Sequence, residues 1–274
     1  MVTTQALKSV VFVLSLLVFI ETSAAQPVEN LATEQGIAVL IHGFGDSPES
    51  MKPLGEYLSS QGIRVEYVLL PGHGSNLEDF RKTSWEDWVQ GGLHQVENFG
   101  ETSDPVYLIG FSIGANIAAL ISEDLEVSKL VLVSPAIEFR EPWYFPFKTS
   151  SIIRGLKGIV PYLPKLSRGD IVDDSGINLR GQHYRWHPLD ALFELTLLMS
   201  ETVAIANRID TPCLVVHGEM DRTMDFRATE RFYADISSNQ KELLLLEESG
   251  HYVLLDQESD RLYAQISEFL LETQ

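Results

Sequence analysis

The sequence predicts an α/β fold: a doubly wound, mostly parallel sheet with an inserted, mostly helical cap. Three observations carry this. Apolar runs without alternation, such as Ile37-Ala38-Val39-Leu40-Ile41, read as strands buried on both faces and hence parallel. Helical stretches separate those runs, the βαβ pattern of a wound sheet. The polar residues of interest, His42, His73, Ser112, Asp221 and His251, each follow a strand end. Ligands of such sheets bind beyond the carboxyl ends of the strands.

The elements follow in order. The first strand, residues 37–41, runs into His42-Gly43-Phe44-Gly45-Asp46-Ser47. A helix comes next, with Met51, Leu54, Tyr57 and Leu58 on one face and Gly62 closing it. The second strand, residues 63–70, ends at Pro71-Gly72-His73-Gly74. Ser84-Trp85-Glu86-Asp87 opens a helix capped at Thr83 or Ser84. Strands then fall at 106–109 and 130–133, the latter ending at Ser134-Pro135, and later at 213–216 and 243–246. The last helix carries Leu262, Ile266, Phe269 and Leu270. Between about residues 136 and 211 the alternation breaks, and this stretch is expected to be the cap. It opens with Trp143, Tyr144, Phe145 and Phe147 between prolines. From Arg140 to Arg168 it carries six basic residues (Arg140, Lys148, Arg154, Lys157, Lys165, Arg168) against Glu141 alone. A basic, aromatic rim of this kind suits transient contact with a lipid surface or an anionic part of a substrate.

Gly110-Phe111-Ser112-Ile113-Gly114 stands between the strand ending at Ile109 and the small-residue run Ala115-Asn116-Ile117-Ala118-Ala119-Leu120. Strand, Gly-x-Ser-x-Gly and helix together make a nucleophile elbow. A Cβ at Gly110 or Gly114 would crowd the strand or the helix packed on it. Ser112 then begins a helix, where free N–H groups favour developing negative charge.

A serine hydroxyl needs a base within hydrogen-bond reach, and the base needs a third group to fix its tautomer. The order Ser, then Asp/Glu, then His is the one this fold uses. His251, in the loop after the last strand, is the histidine in the right order at the right strand end. Asp221 is preferred as the acid over Glu219 and Asp225. It lies a full turn past its strand, whereas Glu219 would point along the strand and Asp225 suits a first helical turn. The oxyanion hole is expected from the N–H groups of Ile113 and Phe44. His42 and His73 read as braces for their loops, and Ser134 as structural. No histidine or carboxylate cluster has metal-ligand spacing, and neither metal nor cofactor is expected.

His42-Gly43-Phe44-Gly45, Gly72-His73-Gly74, the elbow, His217-Gly218-Glu219-Met220-Asp221 and Gly250-His251 together resemble the α/β-hydrolase superfamily, nearest to its carboxylesterase and monoacylglycerol-lipase-like group. The resemblance spans about residues 36–271 and is weakest in the cap. Ser112, Asp221 and His251 match that family's triad. This implies hydrolysis of carboxylic esters with small or single-chain acyl groups. One departure is Ala115-Asn116, where many relatives carry a second glycine or small residue. Two further readings stand beside it: the same triad acting on a thioester, an amide or an acyl acceptor, and a non-catalytic binding protein. An intact set of three residues argues against the second.

The 274 residues suit one domain with an insertion. A net charge of −19 argues against a nucleic-acid partner, which needs a basic face. Residues 1–25 read as a signal peptide: Lys8, an apolar core from Val10 to Ile20, then Ser23 and Ala25 before a mature start at Gln26. Residues 26–274 would then form the exported hydrolase domain, periplasmic or secreted. The alternative is an uncleaved N-terminal anchor. Cys213 is the only cysteine, so no intramolecular disulfide forms.

Overall fold

The computed structural model describes residues 35–99, 104–141, 144, 146–164 and 186–272. The signal-peptide expectation therefore lies outside the described residues, as do Trp143, Phe145, Lys165 and Arg168 of the basic, aromatic rim.

Strands β1 (Ile37–Ile41), β2 (Arg64–Val68), β3 (Val106–Phe111), β4 (Lys129–Val133), β7 (Cys213–Gly218) and β8 (Lys241–Leu246) form one sheet. Its order is β2-β1-β3-β4-β7-β8 and every pairing is parallel. The apolar runs are continuous because both faces are covered. Ile37, Val39 and Ile41 of β1 point to one core, Ala38 and Leu40 to the other. The first core is closed by α3 (Trp85–Phe99), α4 (Ile113–Asp124), α6 (Leu189–Ile205) and α7 (Phe226–Asp235), through residues such as Trp88, Ile117, Leu195 and Phe232. The second is closed by α1 (Lys52–Ser60) and α8 (Ser259–Leu271), through Leu54, Leu58, Leu262 and Ile266. Each such side chain, fully buried, contributes roughly 1.5–3 kcal/mol relative to exposure.

The chain goes from β1 outward to β2, then returns past β1 to β3. The winding reverses between β1 and β3, where Ile41 pairs with Gly110. A crevice opens at such a switch point because the two loops diverge to opposite sides. The loop after β1 and the elbow after β3 are therefore neighbours at one sheet end.

Three described elements had no clear sequence signal. Helix α2 (Leu77–Lys82) has six residues, and its start is fixed by Asn76, whose side chain accepts from the N–H groups of Glu78 and Asp79. That is an N-cap satisfying orphan donors of the first turn. Strands β5 (Tyr162–Pro164) and β6 (Trp186–Pro188) form an antiparallel pair within the insertion. Three residues are too few to display a period of two. Helix α5 (Thr149–Leu156) precedes them, and its capping loop holds Glu141, which accepts from the N–H and hydroxyl of Thr149.

The departure noted at Ala115-Asn116 has a local function. Asn116 is fully buried, donates to the Ala136 carbonyl (2.8 Å) and Thr202 Oγ1 (2.9 Å), and accepts from the Ala136 N–H (2.9 Å). It ties α4 to the exit of β4 and to α6, so a polar side chain sits where a glycine would leave those groups unpaired.

Candidate active site

Ser112 links β3 to α4 with φ 55° and ψ −119°, a conformation L-residues rarely adopt. Such strain costs on the order of 1–3 kcal/mol and persists only where neighbours fix it. They do so here. The Ser112 N–H donates to the Val133 carbonyl (2.9 Å), and a Cβ on Gly110 would overlap the Gly114 carbonyl. A Cβ on Gly114 would in turn strike the Ile41 carbonyl. The glycines thus let helix, elbow and β1 approach at backbone distance.

Three residues separated in sequence meet at this point. The Ser112 hydroxyl lies 3.1 Å from His251 Nε2, and His251 Nδ1–H donates to Asp221 Oδ2 at 2.7 Å. All three side chains are buried. Asp221 follows β7 by one turn, its N–H bonding to the Gly218 carbonyl. Its Oδ1 accepts from the N–H groups of Thr223 (2.7 Å) and Met224 (2.9 Å), which fixes the plane of the carboxylate. Burial alone would raise the Asp221 pKa. The charge of His251 and the hydrogen bonds from His217 and His251 outweigh it and hold the carboxyl well below its usual range. The rival carboxylates are placed differently: Asp225 caps α7 by accepting from the Arg227 N–H, and Glu219 makes its recorded bond only through its N–H, to the Leu246 carbonyl.

Phe44 lies in a turn closed by the Asp46 N–H on the Gly43 carbonyl, with Gly45 at φ 64°. Its N–H takes no part in that closing bond. Its ring is seated among His73, Phe80, Trp88 and His187, with centroids 4.9 to 6.5 Å apart. Ile113 is the first residue of α4, where an N–H has no partner within the helix. The two expected oxyanion donors thus belong to the loop after β1 and to the first residue of α4.

His42 and His73 do not join the Ser112 line. His42 Nδ1–H donates to the Gly43 carbonyl (2.9 Å), and its Nε2 accepts from the Leu70 N–H (3.2 Å), tying the loop after β1 to the end of β2. Burial lowers its pKa to about 4. His73 donates to the Pro71 carbonyl (3.0 Å), and burial, aided by His42, lowers it to about 3. Both rings are therefore neutral at physiological pH and brace their loops. Ser134 is fully buried at φ 45°, its N–H bonded to the Val216 carbonyl, and its hydroxyl has no partner among the described residues.

Sequence reasoning gave three residues no part at the site, counting Arg140 among the basic residues of the rim. His217 and Arg140 both contact Asp221, the latter through its guanidinium on the Asp221 carbonyl, and Thr229 contacts His217. The one legible signal was His217, four residues before Asp221 at the end of the same strand.

Known proteins resemble this chain along most of its length. A thermostable monoacylglycerol lipase of Bacillus sp. (strain H-257) is 25% identical over 235 residues, covering 84% of this chain and 88% of that one. A carboxylesterase of Bacillus subtilis (strain 168) is 23% identical, covering 85% and 91%. Among solved structures, one from a study of the metagenome-derived lipolytic enzymes LipS and LipT superposes with a TM-score of 0.75 at 23% identity, over 86% of this chain and 94% of that one. The fold is accordingly that of the α/β-hydrolases. Residues 32–258 match the hydrolase family described as serine aminopeptidase, S33, and the chain belongs to that family.

Proposed function

We propose that the protein hydrolyses carboxylic esters, of monoacylglycerol or of short- to medium-chain acyl groups, through an acyl-enzyme on Ser112. The observation that carries this is the unbroken line from the Ser112 hydroxyl through His251 to Asp221. His251 Nε2 takes the serine proton as Oγ attacks the ester carbonyl, and the N–H groups of Phe44 and Ile113 receive the oxyanion. The tetrahedral intermediate collapses, and His251 returns the proton to the departing alkoxide. Water then repeats the sequence on the acyl-enzyme and releases the acid. Asp221 remains ionised throughout, stabilising the imidazolium. The names of the relatives, a monoacylglycerol lipase and a carboxylesterase, favour esters.

The family description names an aminopeptidase, so an amide is the second reading. A panel of esters of graded acyl length, thioesters, aminoacyl amides and acyl acceptors separates the two. Ester turnover that peaks at one acyl length and is absent in Ser112→Ala supports the first. Amide turnover exceeding ester turnover overturns it.

We further infer that the cap expected at about residues 136–211 touches lipid surfaces with the part preceding α6, since α6 itself packs on the sheet core. Tyr144, Phe147, Ile159 and Trp186 are large apolar side chains exposed to solvent. Lys148 and Lys157 already pair with Glu138 and Glu194, so apolar insertion carries more of the attraction than charge. Vesicles of anionic phospholipid are expected to bind the protein at low salt and to release it when Tyr144 and Phe147 are both replaced by serine. Absence of binding by the wild type ends the idea and leaves the esterase reading untouched.

We also propose that the protein is exported, with cleavage after Ala25. N-terminal sequencing of the protein from its native host is expected to begin at Gln26. A Met1 start on membrane-bound protein would mark residues 1–25 as an anchor instead.

A further inference from the structure

We propose that His217 is a positioning residue for the triad, a second imidazole that shares Asp221 Oδ2 with His251 and sets how strongly the carboxylate holds the base. The proposal rests on the ester-hydrolase reading above and assigns a part of that machinery which the triad does not include.

His217 is the fifth residue of β7, and its side chain is fully buried. A buried imidazole is costly unless both nitrogens are satisfied. Here both are, by side chains from two other places in the fold. Nε2 lies 2.8 Å from Asp221 Oδ2, and Nδ1 lies 2.9 Å from the hydroxyl of Thr229 on α7, also fully buried. A carboxylate only accepts, so the His217 proton facing it is on Nε2. In the neutral ring Nδ1 is then an acceptor, and the Thr229 hydroxyl donates to it. The Asp221 carboxylate thus fixes the tautomer, and Thr229 completes it by satisfying Nδ1.

Asp221 Oδ2 receives N–H groups from both His251 (2.7 Å) and His217 (2.8 Å), while Oδ1 receives two from the main chain. The carboxylate cannot turn without breaking bonds on both oxygens. Sharing also disperses its charge. An oxygen already holding one N–H is a weaker partner for the next, so His217 lessens the pull of Asp221 on the His251 proton. Other groups also face these atoms. Against His251 lie, among others, the Ser112 hydroxyl and the rings of Phe111 and Tyr252. On Asp221 they are the Thr223 and Met224 N–H groups and the Arg140 guanidinium, which reaches the main-chain carbonyl.

The sign follows. Without the second N–H, Asp221 holds the His251 imidazolium more tightly, and His251 gives up its proton at higher pH. The rising acid limb of kcat/KM reports the base of the free enzyme.

The test is the pH profile of kcat/KM for a soluble ester in four full-length proteins: wild type, His217→Phe, His217→Gln and Thr229→Val. In His217→Phe the acid limb is expected to move up by roughly half to one pH unit, with kcat reduced about tenfold. Thr229→Val is expected to move it the same way by less. His217→Gln places an amide N–H near the former Nε2 and is expected to bring the limb back toward wild type. A purely structural histidine would lower kcat or thermal stability without moving the limb. Superimposable acid limbs in wild type, His217→Phe and Thr229→Val overturn the proposal, as does a Gln variant no nearer to wild type than the Phe variant. If circular dichroism shows His217→Phe unfolded, Thr229→Val and His217→Gln decide alone, the limb displaced in the first and near wild type in the second. Ser112→Ala assayed in parallel separates the two levels. Turnover surviving there defeats the Ser112 acyl-enzyme on which the proposal rests, whereas a dead Ser112→Ala with unmoved limbs defeats only the role of His217.

Discussion

Ser112→Ala is expected to lose turnover by a factor on the order of 10⁶ in kcat, the scale on which removal of a triad serine falls when its partners remain. The physical basis is that the substitution removes the oxygen that His251 is placed to deprotonate. Ser112 is the described hydroxyl that bonds to His251 Nε2. Ser134, the other serine at a strand end with positive φ, makes its recorded bond through its N–H, to the Val216 carbonyl. The substitution removes one oxygen and leaves the elbow intact. Alanine at φ 55° meets the same backbone strain as serine, and the Ser112 N–H still reaches the Val133 carbonyl. The melting temperature is therefore expected to stay within a few degrees of wild type. Labelling by a fluorophosphonate should vanish with activity. Labelling that persists, or that moves to Ser134, would show that the nucleophile lies elsewhere.

How much of this was legible in the sequence depends on the range of the interaction. The central strands were readable because burial on both faces makes them apolar runs, as in residues 37–41 and 130–133, whereas the edge strands β2 and β8 are half-buried and carry charged residues. The elbow was readable because its five-residue pattern is contiguous: Gly110 is required by the Gly114 carbonyl one turn on, although Gly114 is required by the distant Ile41 carbonyl of β1. Ser112, Asp221 and His251 could be placed from chain order and strand ends, since a parallel sheet gathers all carboxyl ends on one side. The roles beyond the triad depend on long-range pairing. Thr229 meets His217 from the next helix, and Arg140 reaches Asp221 from 81 residues away. Neither has a periodic or motif signature, because nothing in its neighbourhood in the chain requires it. The insertion was the least legible for a related reason. Its β5–β6 pair joins two three-residue strands more than twenty positions apart, where local propensity carries little weight.

Asp221→Asn tests the acid by a substitution that hardly changes shape. The carboxylate sits between four N–H donors: Thr223 and Met224 on Oδ1, His217 and His251 on Oδ2. An asparagine supplies one oxygen and one NH₂. The two main-chain donors cannot change, so the amide oxygen takes the Oδ1 side and the NH₂ faces the two imidazoles. Donor then meets donor at both rings. His251 resolves the conflict by moving its proton to Nε2 so that Nδ1 accepts from the amide. Its Nε2–H then points at Ser112 and has no lone pair with which to take the serine proton. A loss on the order of 10⁴ in kcat is expected, the size found where the same geometry was broken in a serine protease. Folding should survive, since the side chain keeps its volume and its main-chain bonds, though His217 must adjust as well. Asp225→Asn and Glu219→Gln should each keep kcat within about tenfold. Asp225 serves as a helix cap, and asparagine caps nearly as well as aspartate. Steady-state kinetics on the three purified variants decide the matter: a larger loss in either control than in Asp221→Asn would move the acid to that residue.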